Sequence, residues 1–128
     1  MLGAVLALAA GAAWAEGPDE APPRGLWESP PDARGLVYHV RTKACGRALC
    51  GRIERVKDRR GVDAPSNAVS HRILDGLRPV AGGAFLGDLH WPGSDPVVDV
   101  RVTLEGSALK VESCGDAGCA AARWKRLR

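Results

Sequence analysis

Aromatic residues are few: one Tyr, one Phe and four Trp in a chain of 128 residues. A core so short of aromatic bulk has to be filled by aliphatic side chains and by whichever tryptophans face inward. No long stretch carries the 3.6-residue apolar stripe of an amphipathic helix, which excludes a helical bundle. Neither Cys-x-x-Cys nor Cys-x-x-Cys-His occurs, so a thioredoxin-like redox motif and covalent haem attachment are excluded. Ser66, Ser70, Ser94, Ser107 and Ser113 lie in no Gly-x-Ser-x-Gly element. His39, His71 and His90 fall in no His-x3-His or His-x-Glu pairing. Without a catalytic constellation an enzyme is the weakest functional reading, and neither cofactor nor metal is expected.

The length allows one domain with one modest core. Residues 1–15 are apolar and uncharged, and end in Ala13-Trp14-Ala15 before the polar Glu16-Gly17-Pro18. Small residues at the third and first positions before a polar break predict a signal peptide, and the run is too short for a helix that crosses a bilayer, which takes roughly 20 apolar residues. No Lys or Arg precedes it, a departure from the usual signal pattern. Residues 16–24, with Pro18, Pro22 and Pro23 among acids, are expected to form a flexible lead-in. Residues 25–128 are then the single folded domain, periplasmic or secreted, and export makes disulfides the expected state of the four cysteines.

Short alternating segments follow one another. Leu36, Tyr38 and Val40 fall on one face of a strand over residues 36–42, and residues 51–57 supply its hairpin partner, with the first cysteine segment as the turn. Residues 58–67 read as a surface loop, with Ser66 or Asn67 capping one helical turn through Ser70. Residues 73–77 and 84–91 are further strands. Val98, Val100, Val102 and Leu104 make the clearest alternation in the chain, followed by residues 109–113 and 120–127. Seven or eight short strands joined by turns predict an all-β sandwich or barrel, and an antiparallel up-and-down barrel is preferred because short loops form meanders and closure removes exposed edges. Gly25-x-Trp27 on the first strand, with Arg123 or Arg126 on the last, resembles the lipocalin-type closure, which implies a Trp stacked under an Arg.

All four cysteines lie in two copies of Cys-Gly-x-Ala-x-Cys, at Cys45–Cys50 and Cys114–Cys119. Four cysteines allow three connectivities. The two local pairs are preferred because each sits at an expected turn, where opposed positions come within disulfide reach. A zinc site is disfavoured by the spacing and by an oxidising compartment. Trp27, Trp91 and Trp124, with Tyr38 and Arg126, are candidates for a ligand pocket or for core and closure, and for the tryptophans core is the preferred reading, because so small a domain needs their apolar area for stability. Asp58, Asp63 and Asn67 share one polar loop but lack the register of a calcium loop, so turn chemistry is the expected role.

The residues Gly25-x-Trp27, Val40, Cys45-Gly46-x-x-Leu49-Cys50-Gly51-x-Ile53, Lys57-Asp58, Asn67, Arg72, Gly76-Leu77, Leu109-x-Val111, Cys114, Cys119 and Trp124-x-Arg126 together resemble an uncharacterised bacterial exported family known as domain of unknown function 2147. The resemblance spans nearly the whole mature chain and implies a small lipocalin-like barrel, with no activity attached. Such proteins usually carry a longer Trp-x-Gly-Gly-x-Ile-Tyr-Asp-Pro run and a following Gly-Lys-x-Tyr. Here Trp91-Pro92-Gly93-Ser94-Asp95-Pro96 passes directly to Val97, so the tyrosine positions have no counterpart.

Two functional expectations follow. A barrel of about eight strands can hold one small ligand, which favours a non-catalytic binding module for a small apolar or amphiphilic molecule. The alternative is an envelope interaction protein: residues 34–60 are rich in Lys and Arg, the tail adds Arg123, Lys125, Arg126 and Arg128, and such a surface suits an anionic envelope component. Export argues against a nucleic-acid partner.

Overall fold

The computed structural model describes residues 21–115 and 117–128. The expected signal peptide, residues 1–15, and residues 16–20 of the lead-in lie outside the described residues. Eight antiparallel strands follow in chain order: β1 (Gly25–Glu28), β2 (Val37–Cys45), β3 (Ala48–Lys57), β4 (Arg72–Val80), β5 (Ala84–Leu89), β6 (Val97–Glu105), β7 (Ala108–Gly115) and β8 (Gly118–Arg126). Each pairs with the next, and β1 pairs with β8 to close the barrel. Closure leaves no free edge, so an almost entirely β chain satisfies its backbone without helices to cover it.

The up-and-down order gives the barrel two unlike ends. The tight β2–β3, β4–β5 and β6–β7 turns emerge at one end, and the longer β1–β2, β3–β4 and β5–β6 connections at the other. Near the tight end the interior is solid, packed with Trp27, Leu49, Ile53, Leu77, Phe85 and Leu109.

The β1–β8 seam is short, with only Trp27↔Arg126 and Glu28↔Lys125 in register. It is reinforced by Leu26 N–H donating to the Arg128 carbonyl and Leu127 N–H donating to the Leu26 carbonyl, both at 2.8 Å. Trp27 is fully buried beneath it. Its indole Nε1–H donates to Thr42 Oγ1 at 2.7 Å, and the Thr42 hydroxyl donates to the Pro23 carbonyl at 2.8 Å. The Arg126 guanidinium lies 4.4 Å from the Trp27 ring centroid, a cation–π contact. Gly25 of the Gly-x-Trp element has to lack a side chain, because a Cβ there would come within 2.8 Å of both Arg126 Nη1 and the Arg128 carbonyl oxygen.

Both disulfides are local, Cys45–Cys50 and Cys114–Cys119. The first is at the tight end of the barrel and the second at the opposite end. Each closes a small loop, contributing about 2 kcal/mol in the chain-entropy model. The cysteines lie in the strands rather than in the turns. β2 runs through Cys45, so only Gly46 and Arg47 make the turn, and Gly46 takes φ 70°, where glycine carries no steric cost.

Two other expectations are corrected. Residues 67–70 form hydrogen-bonded turns, not a helical turn: Ser66 Oγ accepts from Ala68 N–H at 3.0 Å and His71 N–H reaches back to the Ala68 carbonyl at 3.0 Å. The strand expected over residues 84–91 stops at Leu89, because Pro92 and Gly93 begin a turn in which Ser94 N–H donates to the Trp91 carbonyl. Trp91 is thereby placed on a loop.

Candidate functional site

At the end carrying the longer connections the interior is open, with a cavity of about 720 Å³. Its deep wall is apolar, formed by Leu89, Val100, Val111, Ala122 and Trp124. These come from four different strands, and each owes its inward direction to the two-residue period of its strand. The long connections supply the mouth. The β1–β2 loop contributes Ser29, Asp32 and Arg34, the β3–β4 loop Asn67 and His71, and the β5–β6 loop Trp91 and Ser94.

Three aromatics form a continuous row along the cavity. The Tyr38 and Trp91 centroids are 5.0 Å apart with planes at 45°, and those of Trp91 and Trp124 are 6.0 Å apart at 53°. Such tilted pairs are favourable for rings whose faces are negative and edges positive. Trp124 is buried in the wall, while Trp91 is only half-buried. Trp91 is thus held against two rings and keeps area to offer a ligand.

A polar group stands at the top of the row. Tyr38 Oη donates to Asp32 Oδ2 at 3.1 Å, and Arg34 Nη2 donates to Tyr38 Oη at 3.4 Å. Asp32 Oδ1 accepts the backbone N–H groups of Arg34 and Leu36 at 2.8 and 3.0 Å. Ser29 Oγ accepts from Tyr38 N–H at 2.9 Å. Burial pushes the Asp32 carboxyl up, but the Leu36 and Arg34 amides, the Tyr38 hydroxyl and the Arg34 charge together hold it below its ordinary value. Burial and the Asp32 carboxylate raise the Tyr38 hydroxyl, which stays protonated as a donor. The Arg34 side chain is largely exposed and carries its charge out over the opening.

A carboxyl whose folded pKa lies below its unfolded value stabilises the fold above that unfolded value, and the contribution is lost as pH falls through the folded one. The β1–β2 loop, which Asp32 ties together, is therefore expected to loosen as pH drops below the ordinary 3.8. Faster hydrogen exchange at the Arg34 and Leu36 amides measures it. An Asp32→Asn variant is expected to lose this pH dependence, and equal protection of both amides above and below the transition would refute it.

The candidate residues separate into groups. Tyr38, Trp91 and Trp124 come together in the cavity, with Asn67 at its mouth. Trp27 and Arg126 belong to the closure at the other end. Cys114 and Cys119 flank the cavity residues Ser113 and Ala120, whereas Cys45 and Cys50 are remote from it. Asp58 is occupied by its own turn, accepting from the Arg60 and Val62 amides at 2.9 and 3.1 Å and pairing with Arg60. Asp63 faces Arg55 and Lys57 at 3.8 and 3.5 Å. The three loop residues therefore do not converge on a cation, and among the described residues no group of three His, Cys, Asp or Glu side chains is placed to hold a metal.

Sequence pattern does not single out Asp32 and Arg34 as site residues. The available signal is local: a Pro-Pro-Asp turn places a carboxylate where it caps the next amides and brings the residue two positions on back toward the barrel. Comparison with protein-family models, with curated proteins and with solved structures found no match.

Proposed function

We propose that this chain is an exported, non-catalytic binding module that holds one small amphiphilic molecule in the open end of its barrel. The observation that carries the reading is a cavity whose apolar deep wall leads to a polar mouth, with an aromatic row running from Trp124 in the wall through Trp91 to Tyr38, and Arg34, Asn67 and Ser94 at the opening. Its volume lies in the range of roughly 300–1,000 Å³ typical of small-molecule sites. The apolar body of a ligand packs on the indoles, and its polar head meets Arg34 and the loop hydroxyls. Two disulfides suited to an oxidising compartment support export.

Titration of the purified mature chain with 1-anilinonaphthalene-8-sulfonate, an aromatic anion, tests this reading. Saturable binding at one molecule per chain is expected, with quenching of tryptophan fluorescence and displacement by dodecanoate. Absence of saturable binding by either compound would overturn it.

A further inference from the structure

On the outer wall, away from the cavity, the register of three strands brings like charges face to face. Arg41 of β2 is directly opposite Arg52 of β3, and Arg52 is directly opposite Arg72 of β4. Neighbouring strands are about 4.8 Å apart, so the three arginines cross the wall in a row about 10 Å long at the backbone. Directly opposed like charges destabilise a sheet unless a counter-charge meets them. Lys43 extends the row on β2, across from Cys50.

The carboxylates present do not neutralise this row. Glu54 binds Arg41 at 2.6 Å, and Asp75 binds Arg72 at 3.2 Å. Arg52, between them, and Lys43 have no acidic partner among the described residues. Between these side chains runs a groove of about 240 Å³, lined by Arg41, Lys43, Arg52, Glu54 and Arg72 and floored by Cys50 and Gly51. The platform beneath consists of paired strands, with the Cys45–Cys50 disulfide joining β2 to β3.

We propose that this groove is a binding site for a linear acidic polysaccharide, whose carboxylate or sulfate groups lie across β2, β3 and β4 and bridge Arg52 to its neighbours. Three observations select that partner. A row of separated cations in a narrow groove matches charges repeated along a flexible chain, and arginine binds carboxylate and sulfate through paired N–H donors. No aromatic side chain lines the groove, so single-stranded nucleic acid has no platform for its bases. The exposed large apolar residues Val62, Val69, Val98 and Leu104 all lie outside it, so no apolar anchor accompanies the charge as membrane docking would require.

The test is fluorescence anisotropy with a labelled heparin decasaccharide, using the full mature chain at 20 and 150 mM salt. Binding is expected to weaken steeply with salt, and Arg52→Gln to lower affinity roughly tenfold at low salt, as loss of a charge-assisted contact does. Arg101→Gln on β6, which removes the same charge from another part of the wall, is expected to change affinity less than twofold. Arg52→Glu separates binding from folding. It places a carboxylate between Arg41 and Arg72, so it is expected to abolish binding while raising the urea midpoint. No binding by the wild type, or equal losses for Arg52→Gln and Arg101→Gln, overturns the proposal. Tighter binding to a single-stranded oligonucleotide of matched charge, or to phosphatidylglycerol vesicles, overturns the choice of a polysaccharide.

Discussion

Trp27→Ala is expected to bring the barrel to the edge of unfolding. A fully buried tryptophan truncated to alanine costs about 3–5 kcal/mol in lost burial and residual cavity. The Arg126 stacking contact adds about 0.5–1 kcal/mol at an exposed guanidinium. The Thr42 hydroxyl, itself buried, also loses the indole donor at 2.7 Å. Domains of this size are stable by about 5–15 kcal/mol in total, so a loss of this order consumes most of the margin. The site magnifies the effect because it is the seam of the barrel. β1 and β8 have only two residues of each in register, and Trp27 is one of them.

Urea unfolding followed by far-ultraviolet circular dichroism measures the loss. Trp27→Phe serves as the control: it keeps most of the apolar contact but has no Nε1–H, and its cost is expected to be about half as large. A Trp27→Ala midpoint within about 1 kcal/mol of the wild type, by the usual extrapolation, would show that the seam is held by its backbone bonds and not by the indole.

Trp91→Ala is expected to do the opposite, with a large effect on binding and a small one on stability. Trp91 is half-buried on a loop, and the rings on either side of it remain in place when it is removed. An aromatic residue central to a binding surface contributes about 2 kcal/mol or more, which corresponds to a loss of about 30-fold in affinity for 1-anilinonaphthalene-8-sulfonate. Stability is expected to fall by no more than about 1 kcal/mol, in line with loss of the aromatic pairs.

Ala122→Phe approaches the same site from the other direction. Ala122 lies on the cavity wall, beside Val111 in the β7–β8 register, so a larger side chain there fills the space a ligand needs. Binding is expected to be lost while the barrel stays folded, because the added ring enters an open cavity and not the packed core. If both variants bind as the wild type does, the probe sits elsewhere and the cavity reading fails.

The alternation of Val98, Val100, Val102 and Leu104 is enough to predict a strand, and β6 covers it. Gly25-x-Trp27 points to closure only through its likeness to a lipocalin-type pattern, and leaves Arg123 or Arg126 as the partner. Only the register decides for Arg126, which is directly opposite Trp27, whereas Arg123 faces Lys110 of β7. The aromatic site is less legible. Trp27, Trp91 and Trp124 look alike as isolated large residues, and nothing local says that the first seals one end of the barrel while the other two line a cavity at the opposite end. Their roles depend on which residues meet across the barrel, and those partners are distant in the chain.

The two Cys-Gly-x-Ala-x-Cys segments divide along the same line. Residue spacing and the two-residue period of a strand place each at a turn between strands and favour a local disulfide in each, while the connectivity and the closure of the strands as a barrel are seen only in the tertiary structure. Their register is a matter of tertiary packing alone. Cys114 and Cys119 are directly opposed, with Cα atoms 3.9 Å apart, whereas Cys45 is opposite Ala48 and reaches Cys50 diagonally across 5.9 Å. A one-residue slip of a strand moves its side chains to the other face, so register is set by which apolar residues must enter the core, and not by the cysteine spacing. The same register created the Arg41–Arg52–Arg72 row, whereas Tyr38, Trp91 and Trp124 meet across the interior of the closed barrel, Trp91 from the β5–β6 loop, so their contact depends on closure.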